Sequence, residues 1–564
     1  MIFKSKRRKI KKDIYLDEIF LDSKNLPNFN TQQFEGRLEK AIPKRSIFLI
    51  GSIFVLVSFI FIGQVIKLQI IKGEIYFKKS ENNTLQKEPI FADRGLIYDR
   101  NGVLLSWNTW DKNDVNKLSS PERSYYNNPG FGLLLGYVSV PAKDSSGYYW
   151  QDNFIGKDGV ESFYNDFLTG VNGTRITETD VKGVIQSENI ILPPVPGENL
   201  NLSIDSKIQA KMYDSISAMA KNVGFMGGAG VLMDIKTGEL LSLTSYPEYN
   251  SSVLSQGKDS QIISSYFSDK RKVFLNRAIS GLYSPGSIVK PFIGYGALVE
   301  NVISPLKVIF SNGSISISNP YFPEKKSVFK DHGTFGYVDM RKAIAVSSDV
   351  YFYEIGGGFE NQKGLGILNI DKYSKMFGIG EKTGINLKGE KEGVIPTPEW
   401  KAKTFKGDAW RVGDTYNTSI GQYGFQVTPV QMVRAISGIA NSGIINTPHI
   451  TLADKNFESP EIIPIDENMM KVIKEGMRMV VTEGTGTALN IQNVKVAAKS
   501  GTAQVGVGNT NTNSWIVGFF PYENPKYSFA LVMERGPKAA SGNATRVMSE
   551  VIDYMSIYTS DYLK

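Results

Sequence analysis

Three short segments carry serine and lysine at spacings that could support nucleophilic catalysis. The first is SPGSIVKPF, in which Ser287 and Lys290 are three residues apart. On a helix this spacing places both side chains on one face, where the lysine could act as the base that activates the serine hydroxyl. Pro285 and Gly286 predict the start of that helix, so Ser287 would lie at the positive end of the helix dipole. The pattern occurs by chance in most long proteins and is a weak signal by itself.

The other two segments are AVSSDVYFY, with Ser347 and Asp349, and AAKSGTAQ, with Lys499 and Thr502. Taken alone, the Ser347 segment could be a helix cap and the Lys499 segment an ordinary strand end. The small residues of the Lys499 segment also predict an inner strand that a ligand's backbone approaches closely. The three segments occur in order, with 60 residues from Ser287 to Ser347 and 152 from Ser347 to Lys499. Such an ordered set is typical of penicilloyl-serine transferases.

The elements that must position these side chains are predicted from about residue 201 onward. Residues 203–223 read as a helix, and 228–247 as two strands around a turn at 236–238. Three neighbouring strands are predicted near the C-terminus, followed by a final helix: 494–504, 514–521, 527–535 and about 543–557. Strands at both ends with helices between them predict an α/β sheet sandwiched by helices. Earlier in the chain, Asp99 to Gly102 predicts a hairpin with positive φ at both central residues, Asn101 and Gly102.

The amino-acid composition excludes several kinds of catalytic and metal site. The 564 residues include no cysteine, which excludes disulfides, iron–sulfur clusters and thiol nucleophiles. Only two histidines are present, His332 and His449, so a multi-histidine metal site is nearly excluded and a Ser-His-Asp triad would need one of them. We expect His332 to give structural support and His449 to lie in a loop. Nucleophilic chemistry in this chain must therefore use serine and lysine.

The formal charge of +8 is concentrated at the N-terminus. Residues 1–45 contain twelve Lys or Arg and six Asp or Glu, a net +6, which leaves +2 for the other 519 residues. One interpretation of this basic tail is an arm that binds nucleic acid.

The segment after the tail favours a membrane instead. Ser46 to Ile66 is 21 residues without a charged side chain, about 31 Å long as a helix, which matches the hydrocarbon core of a bilayer. Lys44 and Arg45 precede it, so the positive-inside rule predicts a cytoplasmic N-terminus whose basic residues face anionic lipid. No second uncharged run of this length follows. We therefore predict one membrane crossing and no nucleic-acid partner.

The chain resembles the class B penicillin-binding proteins, which are membrane-anchored peptidoglycan transpeptidases. Besides the three ordered motifs, the resemblance rests on these segments: ADRGLIYDRNG (92–102), GKDGVESFYNDFLTGVNG (156–173), GVLMDIKTGELLSLTSYP (230–247), NRAISGLYSPGSIVKPF (276–292), DHGTFG (331–336) and WRVGDTYNTSIGQ (410–422). Asp349, where division-type members usually have asparagine, and the DHG segment favour the elongation-type, penicillin-binding protein 2-like subgroup. Tyr423 is a departure, since relatives commonly have glycine after Gln422.

The resemblance implies an α+β chain of several domains. These are a cytoplasmic basic tail (1–45), a transmembrane anchor (46–67), a β-rich elongated pedestal or dimerisation domain (68–202) and a transpeptidase domain (203–564). The last is expected to have the serine β-lactamase-like fold, a mainly antiparallel sheet sandwiched by helices. The resemblance also places the chain in the cytoplasmic membrane, with its catalytic domain outside the cytoplasm.

The resemblance further implies a role for each motif residue. Ser287 attacks the D-Ala–D-Ala carbonyl of one stem peptide, Lys290 takes its proton, and an amine of a second stem peptide resolves the acyl-enzyme. Ser347 relays a proton to the leaving amine, and Asp349 orients Lys290. Lys499 stabilises charge and helps to hold the donor's carboxylate.

Residues 500–502 complete the implied site. The hydroxyls of Ser500 and Thr502 lie near the donor carboxylate, Gly501 lies between them, and the backbone N–H groups of Ser287 and Thr502 form the oxyanion hole. No metal or organic cofactor is required. The implied partners are peptidoglycan stem peptides, β-lactams, membrane lipid, a SEDS-family glycosyltransferase and other elongation-complex membrane proteins.

Three alternatives stay open from the sequence. One is a division-type transpeptidase, and another is a non-catalytic receptor of the same fold that binds β-lactams or cell-wall fragments. The intact Lys290 and Lys499 argue against the receptor. The third is a β-lactamase of the same fold, for which an anchor and a pedestal would be superfluous.

Overall fold

The structure is a computed structural model that describes residues 44–75, 85–111, 120–145, 148–179, 185–319, 321–452, 459–538 and 543–563. The basic tail up to residue 43 lies outside the described residues. The chain forms two compact units, one of residues 1–86 with 179–182 and one of residues 87–178 with 183–564. Each unit is described by itself.

The described part of the first unit contains one long apolar helix. Helix α1 (Lys44–Ile66) continues into a π-helical turn, Lys67–Ile71. Phe48–Ile71 is long and apolar enough to cross a membrane, and its apolar side chains are exposed on all sides. A helix that is apolar all round is stable in lipid and not in water. The predicted membrane segment is therefore confirmed as a helix, which extends a few residues beyond Ile66.

The second unit begins with the strands of the predicted pedestal. Its strands before residue 203 are β1 (Leu85–Ile90), β2 (Ile97–Tyr98), β3 (Leu104–Thr109), β4 (Glu122–Tyr125), β5 (Val138–Ser139), β6 (Ala142–Lys143), β7 (Tyr149–Gln151), β8 (Ile155–Gly156), β9 (Gly173–Thr179), β10 (Ile185–Leu192) and β11 (Leu200–Asn201). They form sheets in the orders β1-β9-β10 and β11-β2-β3-β4, with the pairs β5–β8 and β6–β7. Three short helices accompany them: α2 (Gly132–Leu135), α3 (Gly159–Phe163) and α4 (Asn165–Leu168).

The predicted hairpin at Asp99 joins β2 to β3, but its turn differs from the expected one. Of the four turn residues only Gly102 has a positive φ, 80°, and Asn101 does not. The reason is that Asp99 Oδ1 accepts the N–H groups of Asn101 and Val103, each at 2.8 Å. The Asn101 side chain is then free to donate to Asp205 Oδ2 at 2.8 Å. The turn therefore ties the pedestal to Asp205, which caps the helix that begins at Ser206.

A buried ion cluster joins the pedestal strands to α3. The Glu161 carboxylate is fully buried and accepts from Arg94 Nε at 2.6 Å and from Arg123 Nε at 2.8 Å. Arg94 also donates to Thr169 Oγ1, and Arg123 to the carbonyl of Gly95. Burial alone would raise the pKa of Glu161, but the two guanidinium groups outweigh it and hold the pKa below its usual value. The carboxylate thus stays ionised between two cations.

The transpeptidase region is built on one antiparallel sheet. Its five strands are β12 (Gly227–Asp234), β13 (Leu240–Tyr246), β20 (Ala497–Val505), β21 (Asn511–Phe520) and β22 (Tyr527–Pro537). They lie in the order β13-β12-β22-β21-β20, and every neighbouring pair is antiparallel. The strand segments predicted at 228–247 and after residue 494 are therefore confirmed. Six shorter strands form the pairs β14–β17, β15–β16 and β18–β19: β14 (Ile309–Ser311), β15 (Ser314–Asn319), β16 (Phe322–Lys330), β17 (Gly336–Val338), β18 (Ile444–Ile445) and β19 (Glu461–Ile462).

Helices cover both faces of this sheet. The helices of this region are α5 (Ser206–Val223), α6 (Ser251–Gln256), α7 (Ser260–Ser268), α8 (Lys290–Val299), α9 (Met340–Val346), α10 (Asp349–Gly357), α11 (Ile367–Met376), α12 (Pro398–Thr404), α13 (Val412–Ser419), α14 (Pro429–Ala440), α15 (Glu467–Thr482) and α16 (Ala544–Tyr558). Leu232 and Leu531 pack with α5 and α16 on one face, whereas Val231 and Val532 pack with α8 and α14 on the other. Because alternate strand residues reach opposite faces, both faces are buried. The predicted sandwich is confirmed.

The ion cluster of the pedestal gives a testable stability difference. Glu161→Gln leaves two buried guanidinium groups without a counter-charge, so we expect the free energy of unfolding to fall by about 3–5 kcal/mol. The matched control is Glu122→Gln, because Glu122 pairs with Lys258 at 2.7 Å through side chains that are 50% and 72% exposed. An exposed pair contributes about 0–1 kcal/mol. Chemical denaturation of the full chain in detergent measures both, and equal losses would contradict the assignment.

Candidate active site

The first motif forms a tight turn that leads into α8. Gly286 has a φ of 57°, and residues 286–289 form a turn of 3₁₀ helix in which the Lys290 N–H donates to the Ser287 carbonyl. The proline at position 291 has no N–H for that carbonyl, so the shorter bond replaces the usual one. A Cβ at residue 286 would lie 2.7 Å from the Thr502 carbonyl oxygen. Glycine is thus required there by both its backbone conformation and its close approach to β20.

The second motif lies in the turn between α9 and α10. Ser347 ends α9 in the left-handed conformation, with a φ of 63°, and Asp349 is the first residue of α10. The helix cap considered from the sequence is supplied by Ser348, whose hydroxyl accepts the Tyr351 N–H at 3.3 Å. The side chains of Ser347 and Asp349 are therefore available to the site.

The third motif lies on β20, and here the predicted inner strand is wrong. Among the described residues β20 pairs only with β21, so it is the edge strand of the sheet. Lys499 is fully buried, whereas Thr502 is exposed. A Cβ at Gly501 would lie 2.8 Å from the Pro285 carbonyl oxygen. A free edge provides backbone N–H and C=O groups that a peptide can pair with, which an inner strand could not.

The three motifs meet in one cleft of about 700 Å³. The predicted site residues that line it are Ser287, Ser347, Asp349, Ser500, Gly501 and Thr502. The two predicted lysines, Lys290 and Lys499, are fully buried and reach the lining residue Ser347.

The two lysines share one hydroxyl. Lys290 Nζ donates to the Ser347 carbonyl at 2.6 Å, to Ser347 Oγ at 3.3 Å and to Asp349 Oδ1 at 2.6 Å. Lys499 Nζ lies 2.8 Å from Ser347 Oγ and donates to the Ser500 carbonyl at 2.8 Å. Within the described part of the chain no hydrogen bond joins Lys290 to Ser287, so the predicted proton transfer between them stays a prediction.

Burial and neighbouring charges together determine the ionisation of the site residues. Burial lowers the pKa of Lys499 well below its usual value, and the neighbouring Lys290 ammonium adds to the effect against a smaller contribution from Asp349. Burial would raise the pKa of Asp349, but Lys290 and His332 outweigh it and the pKa is lowered. The arrangement thus contains one ion pair, Lys290 with Asp349, and one amine that readily gives up its proton.

The two histidines have different environments. His332 lines the cleft, and its ring lies beside Asp331 and Asp349. Ligand atoms of these three residues lie within 4.8 Å of one another, which is close enough for a metal. Each carboxylate already accepts hydrogen bonds from this chain, and we assign no metal. His449 is buried, forms an isolated bridge with Glu239, and has its pKa lowered by burial to about 4.

The structure also accounts for the tyrosine that departs from the family pattern. Tyr423 lines the cleft with a φ of 61°, a conformation in which glycine is usual. Its ring is held by aromatic contacts with Trp400, Trp410 and Phe405, at centroid distances of 6.0, 5.8 and 6.4 Å. Lys401 Nζ lies 5.8 Å from the ring centroid. No sequence pattern signals this cluster, because Trp400, Lys401 and Phe405 come from α12 and its end, whereas Trp410 and Tyr423 lie in loops.

The fold and the cleft together define a class, the serine enzymes that interact with penicillin. Residues 228–553 match the family model "Penicillin binding protein transpeptidase domain", and residues 111–202 match "Penicillin-binding Protein dimerisation domain". Because the first match covers more than half of the chain, the chain belongs to the penicillin-binding protein transpeptidase family. The resemblance inferred from the motifs is confirmed.

Individual relatives place the chain within this family. It is 29% identical to the peptidoglycan D,D-transpeptidase MrdA of Haemophilus influenzae, over 93% of this chain and 94% of that protein. A solved complex of penicillin-binding protein PBP2 and MreC from Helicobacter pylori is 26% identical, with a TM-score of 0.68, covering 84% of this chain and 98% of that one. Pseudomonas aeruginosa PBP2 in complex with WCK 5153 is 28% identical, with the same TM-score, covering 84% and 97%. The similarity is thus to the PBP2-like subgroup.

Two substitutions of Ser347 distinguish the energetic cost of its backbone conformation from the loss of its hydroxyl. A left-handed conformation costs about 1–2 kcal/mol for a residue with a Cβ and little for glycine. Ser347→Gly and Ser347→Ala lose the same hydroxyl and differ in the cost of the backbone conformation. We therefore expect the free energy of unfolding of the glycine variant to be about 1 kcal/mol higher than that of the alanine variant. Both should lose covalent penicillin labelling to a similar extent. A glycine variant that is less stable than the alanine variant would contradict the strained turn.

Proposed function

We propose that the chain is an elongation-type peptidoglycan D,D-transpeptidase that cross-links stem peptides through an acyl-enzyme on Ser287. The observation that carries the proposal is the convergence of three distant motifs on one cleft beside two buried lysine amines. Family membership and the MrdA and PBP2 relatives support the same activity. The assignment of roles to individual residues is part of the proposal.

The first step is activation of the nucleophile. Lys290 donates to Ser347 Oγ, which lies 2.8 Å from Lys499 Nζ. In the free site the environment of Lys499 favours the neutral amine, which is able to accept a proton. When the donor carboxylate arrives beside it and supplies a counter-charge, the proton of Lys290 passes to the Ser347 oxygen as the Ser347 proton passes to Lys499. Lys290 is then neutral and accepts the proton of the Ser287 hydroxyl. Lys499 becomes a cation that pairs with the carboxylate of the incoming donor peptide.

The second step is acyl transfer. Ser287 Oγ attacks the carbonyl of the penultimate D-alanine, and the oxyanion accepts hydrogen bonds from the N–H groups of Ser287 and Thr502. Loss of one such donor typically costs about 2.7–4 kcal/mol in the barrier. The peptide bond breaks as Ser347 returns a proton to the leaving D-alanine amine. The amine of a second stem peptide then attacks the ester carbonyl and loses a proton to Lys290, which passes it to the Ser287 oxygen as the ester bond breaks. Asp349 keeps Lys290 oriented throughout, and Ser500 contacts the donor carboxylate until the terminal D-alanine leaves.

The domain boundaries and the orientation of the chain belong to the same proposal. We assign residues 1–45 to a cytoplasmic tail, 46–67 to the anchor, 68–202 to the pedestal and 203–564 to the transpeptidase domain. The single apolar helix supports a single-pass membrane protein. The basic residues before it support an N-terminus in the cytoplasm and a catalytic domain outside it.

Covalent labelling tests the nucleophile. The full chain in detergent should form a stable adduct with a fluorescent penicillin, and Ser287→Ala should form none because the ester oxygen is missing. Ser280→Ala is the matched control, since Ser280 lies on the same segment and its hydroxyl donates to the Gly389 carbonyl. We expect this control to be labelled like the wild type. A Ser287→Ala variant that still forms the adduct would overturn the assignment.

The fate of the adduct separates the alternatives. A long-lived acyl-enzyme together with cross-linking of a synthetic stem peptide supports the transpeptidase. Rapid release of hydrolysed penicillin would indicate a β-lactamase. A stable adduct with no cross-linking of any stem peptide would indicate the receptor.

We also propose membrane partners. The H. pylori PBP2 structure contains MreC, and the resemblance implies a SEDS-family glycosyltransferase that polymerises the glycan strands, together with other elongation-complex proteins. The anchor helix has a shallow groove lined by Phe48, Gly51, Ser52 and Val55. A second membrane helix could pack there, because small residues permit close approach.

Co-purification from membranes tests this pairing. Gly51→Leu fills the groove and should reduce the amount of glycosyltransferase recovered with the chain. Gly63→Leu is the matched control, because Gly63 lies on α1 outside the groove. Equal recovery with both variants would contradict a contact at this groove.

A further inference from the structure

His332 lies at the wall of the cleft with both ring nitrogens directed at oxygen atoms. Nδ1 is 2.9 Å from Asp331 Oδ1 and 3.8 Å from Asp349 Oδ2. Nε2 is 3.2 Å from the carbonyl oxygen of Val346. A neutral imidazole has one N–H and one unprotonated nitrogen, so it could satisfy only one of these two sides. The geometry therefore selects the imidazolium, in which both nitrogens donate.

The two sides of the ring contact the two ends of the catalytic turn. Val346 is the last residue of α9, and Asp349 is the first residue of α10. Between them Ser347 adopts the left-handed conformation, which persists only where the surroundings hold it. A cation is also favoured at the C-terminal end of a helix, where carbonyl groups lack partners. His332 thus bridges the turn that presents Ser347.

Asp331, which holds one side of the His332 ring, is itself fixed by hydrogen bonds. Its Oδ2 accepts the hydroxyls of Ser348 at 2.8 Å and Ser311 at 3.2 Å, and the Val350 N–H at 2.9 Å. Its other oxygen faces the His332 ring. Burial would raise the pKa of Asp331, but the hydrogen bonds from His332 and the backbone outweigh it and hold the pKa far below its usual value. The carboxylate is therefore an anion over the whole working range.

The charge of His332 also completes the electrostatics of the site. The groups that face it or its partners are the Asp331 and Asp349 carboxylates, the Lys290 ammonium and, on the cleft wall, Lys330. The ring itself packs on Phe335 at 5.1 Å. The hydrogen bond with Asp331 and the nearby Asp349 carboxylate raise the pKa of His332 to about 9. Two carboxylates are then balanced by Lys290 and His332, which allows the buried Lys499 amine to stay neutral.

We propose that His332, held as an imidazolium, is a positioning residue of the transpeptidase site, which fixes the Ser347 turn and directs Asp349 toward Lys290. The inference rests on the proposed function, because it assigns a purpose to a residue that touches neither the nucleophile nor the base. It adds a fourth, ionised group to the three motifs. It also explains why an ionisable residue stands at the cleft wall, where structural support alone could be given by an amide.

Acylation kinetics test the proposal. Rates of labelling by fluorescent penicillin are measured across pH 6–10 for the full chain and for His332→Gln, which keeps hydrogen bonding and removes the charge. We expect the variant to be about ten- to a hundredfold slower, because small misplacements of catalytic groups have large effects. Its acid limb should move to higher pH, because loss of the positive charge of His332 favours the protonated form of the buried Lys499 amine. The wild type should lose rate above about pH 9, where His332 deprotonates, and the variant should lack this limb.

Lys330→Gln is the matched control. Lys330 lines the same cleft, and within the described residues its side chain makes no hydrogen bond to Asp331 or Asp349. This variant removes a cation from the cleft wall and leaves the bridge intact. We expect it to change the rate by one factor at all pH values. A control whose pH limbs move as far as those of His332→Gln would overturn the positioning role.

A spectroscopic measurement tests the charge independently of activity. The chain has only two histidines, so full-length protein labelled with ¹³C and ¹⁵N at histidine gives two imidazole signals, and His332→Gln assigns them by the loss of one. At pH 7.5 we expect the His332 signal to be that of an imidazolium and the His449 signal that of a neutral ring. Asp331→Asn should make His332 titrate at lower pH. A neutral His332 at pH 7.5 would overturn the proposal, even if His332→Gln failed to fold.

The two proposals fail in different ways. A wild-type chain that labels at Ser287, with an unchanged pH profile in His332→Gln, removes the role of His332 and leaves the transpeptidase intact. A wild-type chain that forms no adduct removes the proposed function, and the histidine signals still report the charge. A loss of labelling after metal chelation would also overturn the imidazolium bridge, because it would place a metal between Asp331, His332 and Asp349.

Discussion

Two lysine amines lie buried beside one serine hydroxyl, and the rest of the site depends on how their charges are balanced. Buried cations are costly unless they are paired and hydrogen-bonded. Lys290 has a carboxylate partner, Asp349, whereas the hydrogen bonds of the Lys499 amine within the described residues go to Ser347 Oγ and a backbone carbonyl. The protein therefore favours one protonated and one neutral amine. In the mechanism we propose, this asymmetry supplies the neutral lysine that acts as a base near neutral pH.

The fold satisfies this constraint by bringing three separate elements to one point. A 3₁₀ turn at the start of α8 supplies Ser287 and Lys290, the turn between α9 and α10 supplies Ser347 and Asp349, and the edge strand β20 supplies Lys499. Glycines at 286 and 501 allow the first element and the third to touch through their backbones. Two layers of helices bury the sheet that carries β20, and both lysine side chains are fully buried.

Polar anchors outside the site hold this arrangement within a larger unit. In the pedestal, Glu161 joins Arg94 and Arg123 in a buried cluster, and the hairpin at Asp99 reaches Asp205 at the start of α5. At the cleft, His332 and Asp331 bridge the ends of two helices around Ser347. The aromatic contacts around Tyr423 hold a residue with a positive φ.

Much of this could be predicted from the sequence, because motif order, hydrophobic runs and turn residues are local signals. The membrane helix, the strands of the central sheet, the final helix and six of the residues that line the cleft followed from such patterns. Tertiary structure alone decided the rest. The order of the strands places Lys499 on an edge strand and not on an inner strand. The hydrogen bonds of Asp99 set the turn in which the Asn101 side chain reaches Asp205. His332 lies between the ends of two helices. These outcomes depend on contacts between residues far apart in the chain, and so on packing and charge balance that no local pattern encodes.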